Sequence, residues 1–184
     1  MNLQDNMAIK CVVTDFDGTL LDDDKQISIE DLSALQKIRN KDITVVIATG
    51  RSLESFSKAL LNLRPVSGNQ RLPIDYVIFS TGAGVLDFSS SRIIYKRSIP
   101  QAGIRIITQF FDSQQVDYMV HDAVPMTGHL LFKSHGGINP DFDHRLALYN
   151  KHAEPLGVFK DQFSQATEVL AILPEHHGAQ TVSF

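Results

Sequence analysis

The stretch Thr14-Asp15-Phe16-Asp17-Gly18-Thr19-Leu20 directly follows a short apolar run, Ala8 to Thr14 (AIKCVVT). A β-rich apolar run of this length reads as a buried parallel strand. Two carboxylates two residues apart at a strand's C-terminal end lie where open α/β sheets place their ligands. If Asp15 ends the strand and the chain turns at Phe16, both acids face one reacting centre. One can then serve as nucleophile and metal ligand, the other as proton donor and acceptor. Gly18 lets backbone N–H groups approach a bound anion closely, and Thr19 adds a hydroxyl. An isolated D-x-D is more often a plain acidic turn. Here the preceding strand and the Gly-Thr-Leu tail favour the chemical reading.

Outward from this segment, strand and helix signals alternate. Ser28 is an N-cap with Glu30 and Asp31 in the first turn, and Ile29, Leu32, Leu35 and Ile38 recur at helical spacing to Asn40. Ile43 to Ala48 (ITVVIA) is a second buried strand, and it runs into Thr49-Gly50-Arg51-Ser52. Thr49 offers a hydroxyl there, and the N–H groups of the helix capped by Ser52 favour an anion. The same tetrapeptide is equally well read as a strand-to-helix turn, and Arg51 as a phosphate contact, as helix-start packing or as a surface ion-pair partner. Leu53, Phe56, Leu60 and Leu63 form one face of that helix; a polar loop spans Arg64 to Leu72, and Ile74 to Ser80 is a third strand. This order predicts an α/β fold with a parallel, doubly wound sheet.

The pattern changes at Thr81-Gly82-Ala83-Gly84. Val85 to Phe88 and Ile93 to Lys96 read as a hairpin, and Pro100 to Gln114 as a helix with Ile104, Ile107, Phe110 and Phe111 facing inward. Strands over Val116–His121, His129–Lys133 and Val169–Leu173, with a helix over Phe142–His152, complete an α+β module. The expected division is therefore residues 1–84 and 85–184.

The chain has 184 residues, 43% hydrophobic and 21% charged, with a formal net charge of −4. That supplies a real core and excludes intrinsic disorder, and the weakly acidic balance argues against a nucleic-acid binder. No apolar run nears the ~20 residues of a membrane span, and Met1 to Lys10 lacks a signal-peptide layout. The single cysteine, Cys11, cannot form an internal disulfide; the expectation is a cytoplasmic protein, with Cys11 packed inside its strand.

Taken together, Asp15 to Leu20 (DFDGTL) and Ile47 to Ser52 (IATGRS) resemble the first and second motifs of the haloacid dehalogenase (HAD) superfamily of phosphotransferases. The turn Ser80-Thr81-Gly82-Ala83-Gly84 resembles the one preceding the cap in the branch with a large α/β cap, class IIB, although many relatives have Asn where this chain has Thr81. The resemblance implies a Rossmann-like core with an inserted α+β cap, and hydrolysis of a small phosphorylated metabolite, often a sugar phosphate. It further implies that Asp15 attacks phosphorus to form an aspartyl-phosphate, while Asp17 protonates the leaving oxygen and then activates water. Mg²⁺ would be held by the Asp15 carboxylate and the Asp17 carbonyl. Phosphate would be bound by the segment Asp15, Phe16, Asp17, Gly18, Thr19 together with Thr49, Gly50 and Arg51.

The family's lysine and its later acidic pair, often G-D-x-x-x-D, find no counterpart. After Lys160 only Asp161, Glu168 and Glu175 are acidic, and Lys133, Lys151 and Lys160 fall inside the expected cap. An incomplete chain is the preferred explanation. A degenerate protein that binds phosphometabolites without turnover comes second, and completion by another chain third. Little phosphatase activity is expected of the 184-residue chain itself.

Other signals are weaker. The seven histidines all follow residue 120 but match no zinc spacing, and surface or cap-lining positions suit them better. His129 to Asn139 (HLLFKSHGGIN) is the segment chosen for substrate contact. Gly82-Ala83-Gly84 lacks the third glycine of a dinucleotide fingerprint, and Asp22-Asp23-Asp24 lacks EF-hand spacing. A phosphoacceptor signalling module would carry its acceptor on a later strand, whereas the third strand here ends in Ser-Thr-Gly. Substrate identity and oligomeric state stay open.

Overall fold

The computed structural model describes residues 9–63, 72–149, 151–157 and 163–174, in two compact units that meet in sequence between Lys96 and Arg97. The loop expected over Arg64 to Leu72 lies almost wholly outside the described residues. So do Lys160, Asp161, His176 and His177.

The first unit is built on a five-stranded sheet in the order β1 (Cys11–Asp15), β2 (Thr44–Ala48), β3 (Tyr76–Phe79), β4 (Gly84–Asp87) and β5 (Arg92–Lys96). β1, β2 and β3 run parallel, and β4 and β5 add antiparallel. Helices α1 (Ile29–Arg39) and α2 (Leu53–Leu61) are the crossovers between the parallel strands. Both begin at the serine caps the sequence indicates: the Ser28 and Ser52 side chains accept from the Asp31 and Ser55 N–H groups. Strand β2, between β1 and β3, buries Val45, Val46 and Ile47, and Phe16, Phe56, Val77 and Phe79 are fully enclosed around it.

Three expectations need correction here. Among the described residues β1 pairs with β2 alone, and its side chains alternate between half-buried and exposed; Cys11 and Val13 are exposed instead of packed. The hairpin expected to open the cap belongs to the first sheet, because the tight turn after Phe79 lays β4 directly against β3, with Phe79 opposite Gly84. The compact units of the structure divide between Lys96 and Arg97. Gly84 has no freedom to vary: a Cβ there would lie 2.2 Å from the Phe79 ring. Third, Phe110 is 40% exposed, whereas Ile104 and Thr108 are the buried positions of its helix.

The second unit holds a mixed sheet in the order β6 (Ile99–Pro100), β10 (Gln165–Ile172), β7 (Asp117–Asp122), β8 (Leu130–Lys133) and β9 (Ala153–Pro155). Alternation along β7 and β8 divides its core in two. Tyr118, Val120 and Leu131 pack with Ile104 of α3 (Gln101–Ser113), while Met119 and Leu130 pack with Phe142 of α4 (Pro140–Leu148). The Asn139 side chain caps α4 by accepting from Phe142 N–H, and Pro140 takes the first helical position, where no N–H is needed. Asp117 ties the unit together: its buried carboxylate accepts from the His135 N–H at 2.6 Å and the Asn139 amide at 2.9 Å.

Candidate active site

Asp15 and Asp17 stand on either side of Phe16 at the C-terminal end of β1. Phe16 is fully buried, with its ring centroid 5.0 Å from that of Phe56 on α2. An inward Phe16 turns its two neighbours outward, and both carboxylates are exposed. The chain then folds back on itself: Leu21 N–H donates to the Phe16 carbonyl at 2.8 Å, and Gly18 takes φ 74°. That left-handed conformation is the reason for glycine at this position. Buried Leu20 and Leu21 anchor the turn from below, and Thr19 is exposed on it.

Register brings the second segment alongside. Asp15 pairs with Ala48, so Thr49 follows at the same sheet end. Thr49 is buried; its N–H donates to the Ile78 carbonyl at 2.9 Å, and its Oγ1 accepts from Arg51 N–H at 3.1 Å. The Arg51 side chain reaches across 34 residues of sequence to Asp17, with Nε donating to Oδ2 at 2.8 Å and Nη2 to Oδ1 at 2.7 Å. Nη1 donates to Ser55 Oγ at 3.3 Å, and the guanidinium carbon is 5.7 Å from the Phe16 ring centroid. Such forked pairing is stronger and more directional than a point contact. The Arg51 hydrogen bonds hold the Asp17 carboxyl below the usual carboxylate range; partial burial opposes this, and the charges of Arg51 and Lys25 with the Thr49 hydroxyl reinforce it. Asp17 in turn raises the Arg51 guanidinium.

Asp15, Phe16, Asp17, Gly18, Thr19, Thr49, Gly50 and Arg51 are thus gathered at one end of the β1–β2 pair. In the structure the Arg51 side chain is paired with Asp17. Sequence reasoning did not single out Lys25, whose charge acts on Asp17, nor the backbone of Ser80 and Thr81, which donates to the Arg51 and Thr49 carbonyls. No local pattern signals such contacts.

Two oxygen-bearing groups of this cluster lack hydrogen-bond partners among the described residues: the Asp15 carboxylate and the Asp17 carbonyl. Hard oxygen donors of this kind suit Mg²⁺, which commonly takes one or two carboxylates and fills its shell with water and phosphate oxygens. Among the described residues, no group of three His, Cys, Asp or Glu side chains is arranged to hold a metal. The residues present therefore fit part of such a site.

The His129–Asn139 segment lies in the second unit. His129 sits 3.5 Å from Asp122 and 3.7 Å from Glu154, and Lys133 pairs with Asp112 at 2.8 Å. His135 is nearly buried, 3.3 Å from Asp112 and 3.8 Å from Asp117.

A profile described as haloacid dehalogenase-like hydrolase matches residues 12–172. The chain belongs to this family. Among relatives of this haloacid dehalogenase-like chain is an HMP-PP phosphatase of Klebsiella pneumoniae, 26% identical over 129 residues, covering 68% of this chain and 44% of that protein. A 5-amino-6-(5-phospho-D-ribitylamino)uracil phosphatase of Bacillus subtilis is 42% identical over 50 residues, covering 27% of this chain and 20% of that protein. A HAD phosphatase from Bacteroides thetaiotaomicron shares the fold with a TM-score of 0.59 at 20% identity, over 86% of this chain and 53% of its own. A HAD subclass IIB sugar phosphatase superposes with a TM-score of 0.54 at 20% identity, over 80% and 52%. The chain spans about half the length of these solved structures and less of the curated relatives. Among the described residues, no helix is long and apolar enough to cross a membrane.

Proposed function

We propose that this chain carries the nucleophile half of a Mg²⁺-dependent phosphomonoester hydrolase acting on a small phosphorylated metabolite, with a sugar phosphate the preferred class. The observation that carries this reading is the placement of Asp15 and Asp17 on one turn, beside Thr49 and Arg51 on the neighbouring strand end. An Asp15 oxygen forms a bond to phosphorus as the bond to the leaving oxygen breaks, giving an aspartyl-phosphate. Asp17 gives that leaving oxygen its proton, then takes one from the water that splits the acyl-phosphate. Thr49 uses its hydroxyl proton on a phosphoryl oxygen while its lone pair keeps the Arg51 N–H. The Asp15 carboxylate and the Asp17 carbonyl would hold Mg²⁺, which when bound would supply neutralising charge for the phosphoryl group.

The ion pair with Arg51 keeps Asp17 ionised, the form that accepts a proton from water. The protonating step requires Arg51 to release it. The second unit is the substrate-selecting cap in this reading, and the domains correspond to residues 1–96 and 97–184. Hydrolysis by the 184-residue chain is expected to be weak, since one carboxylate and one carbonyl ligate a metal loosely.

The same thin ligation favours one second reading, a phosphometabolite-binding protein without turnover. Titration with orthophosphate and Mg²⁺, followed through the NMR signals of Asp15, Asp17 and Thr49, tests what the two readings share. Perturbation confined to this cluster supports them, and none at all refutes both. Slow hydrolysis of p-nitrophenyl phosphate that Asp15→Asn abolishes separates the enzyme from the binder. Substantial hydrolysis would overturn the expectation of weak activity.

A further inference from the structure

The chain takes three consecutive left-handed residues after β3: Ser80 with φ 47°, Thr81 with φ 54° and ψ 32°, and Gly82 with φ 93°. Glycine adopts this conformation freely, but a β-branched threonine does not, and such outliers persist only where the surroundings impose them. What the conformation achieves is visible in its hydrogen bonds. Ser80 N–H donates to the Arg51 carbonyl at 2.8 Å, and Thr81 N–H to the Thr49 carbonyl at 3.4 Å. These two carbonyls lie on either side of Gly50, whose Cβ position is 3.9 Å from Thr81 Oγ1. The turn therefore grips the Thr49–Arg51 loop from behind at both ends. It leaves the Thr49 hydroxyl and the Arg51 guanidinium on the side of Asp17. The close packing of Phe79 under Gly84 fixes the far side of the turn.

We infer that Ser80-Thr81-Gly82 is a strained brace for the Thr49–Arg51 loop, with Thr81 as a positioning residue that sets Arg51 squarely on Asp17. In a regular turn the chain would leave β3 without placing two successive N–H groups on the neighbouring strand end. The positive φ of Ser80 turns the Thr81 amide, so that two adjacent amides meet carbonyls two residues apart. The inference rests on the proposed role of the loop, but the brace itself is tested without phosphate.

The test uses the full chain and the NMR signals of the Arg51 guanidinium, where forked pairing shows as resolved, slowly exchanging Nη protons. Thr81→Pro forbids the positive φ and removes the N–H donor. It is expected to collapse those signals to the averaged form of a free arginine while the second unit's spectrum is unchanged. Thr81→Asn tolerates the left-handed conformation. It should keep the resolved signals, with a Tm at or above the parent's. A folded Thr81→Pro protein with intact Arg51 signals overturns the inference, and so does a Thr81→Asn protein that loses them. If Thr81→Pro fails to fold, amide exchange in the parent chain decides. Protection of the Ser80 and Thr81 amides supports the brace, and exchange at the unprotected rate refutes it. Absence of orthophosphate binding in the parent would remove the functional reading and leave the brace standing.

Discussion

Phe16→Ala is the perturbation that most directly tests how this site is held. Phe16 is fully buried, pairs with Phe56 at 5.0 Å and lies under the Arg51 guanidinium at 5.7 Å. Emptying a core phenylalanine position costs about 3–5 kcal/mol, because the transfer free energy is lost and a cavity remains. The ring pair accounts for about 0.5–1.5 kcal/mol of its own, which places the expected loss toward the upper end. Set against a typical stability of about 5–15 kcal/mol, that is a large fraction of the total. Phe16→Leu keeps most of the apolar volume and forfeits the ring pair, for an expected loss of about 1–2 kcal/mol. Urea unfolding of the full chain, read at the amides of Val45, Val46 and Ile47, measures both. With a slope of about 2 kcal/mol per molar urea, the alanine variant should shift the midpoint by about 2 M. A loss under about 1 kcal/mol for Phe16→Ala, or equal losses for both variants, would show that the ring does not pin the turn between the two acids.

Three further outcomes follow from the geometry. Arg51→Met should cost about 1 kcal/mol at neutral pH, the upper end for a partly exposed pair. Because Asp17 is lowered in the folded state, that advantage holds above the ordinary carboxylate value and fades as pH falls through the lowered one; a gap between parent and variant unchanged in acid would contradict the pairing. Asp117→Ala removes two charge-assisted hydrogen bonds to a buried carboxylate and should destabilise the second unit by about 3 kcal/mol or more. Thermal unfolding by circular dichroism within a degree of the parent would refute that role. Burial holds the His121 imidazole below its ordinary value, with its Nδ1–H donating to the Thr127 carbonyl at 3.2 Å. The unfolded chain then binds the extra proton first, so second-unit stability holds above about pH 6.5 and declines as pH falls. His121→Gln should flatten that decline, as urea midpoints from pH 7 to 5 will reveal.

Much of the first unit was legible because its signals are local. The D-x-D-G-T segment, the serine caps at Ser28 and Ser52, and the apolar runs of β2 and β3 each reside within a few residues. The misassigned hairpin shows where locality ends. Val85–Phe88 and Ile93–Lys96 were recognisable as two strands, but which sheet they join is decided by the reversal at Phe79 and Gly84. The same holds for Cys11, whose strand reads as buried by composition while its place at the sheet edge exposes it. In the site, residue types and sheet end could be read directly. The Arg51–Asp17 fork and the brace at Thr81 could not, since each joins segments about thirty residues apart. One signal was available and missed: Asn139-Pro140 is a cap followed by a proline at the first helical position, and it starts α4 two residues ahead of Phe142.

The edge position of β1 has an electrostatic consequence. Asp15 and Asp17 stand at the end of a strand that, among the described residues, has a strand partner on one side, and both are exposed to solvent. Any segment that hydrogen-bonds along Cys11–Asp15 would reduce solvent access and lower the local dielectric around both carboxylates. The pull of Arg51 and Lys25 on Asp17 would then strengthen. The acidity of Asp17 is thus coupled to strand pairing, so a change in backbone partner would retune it with every side chain left in place.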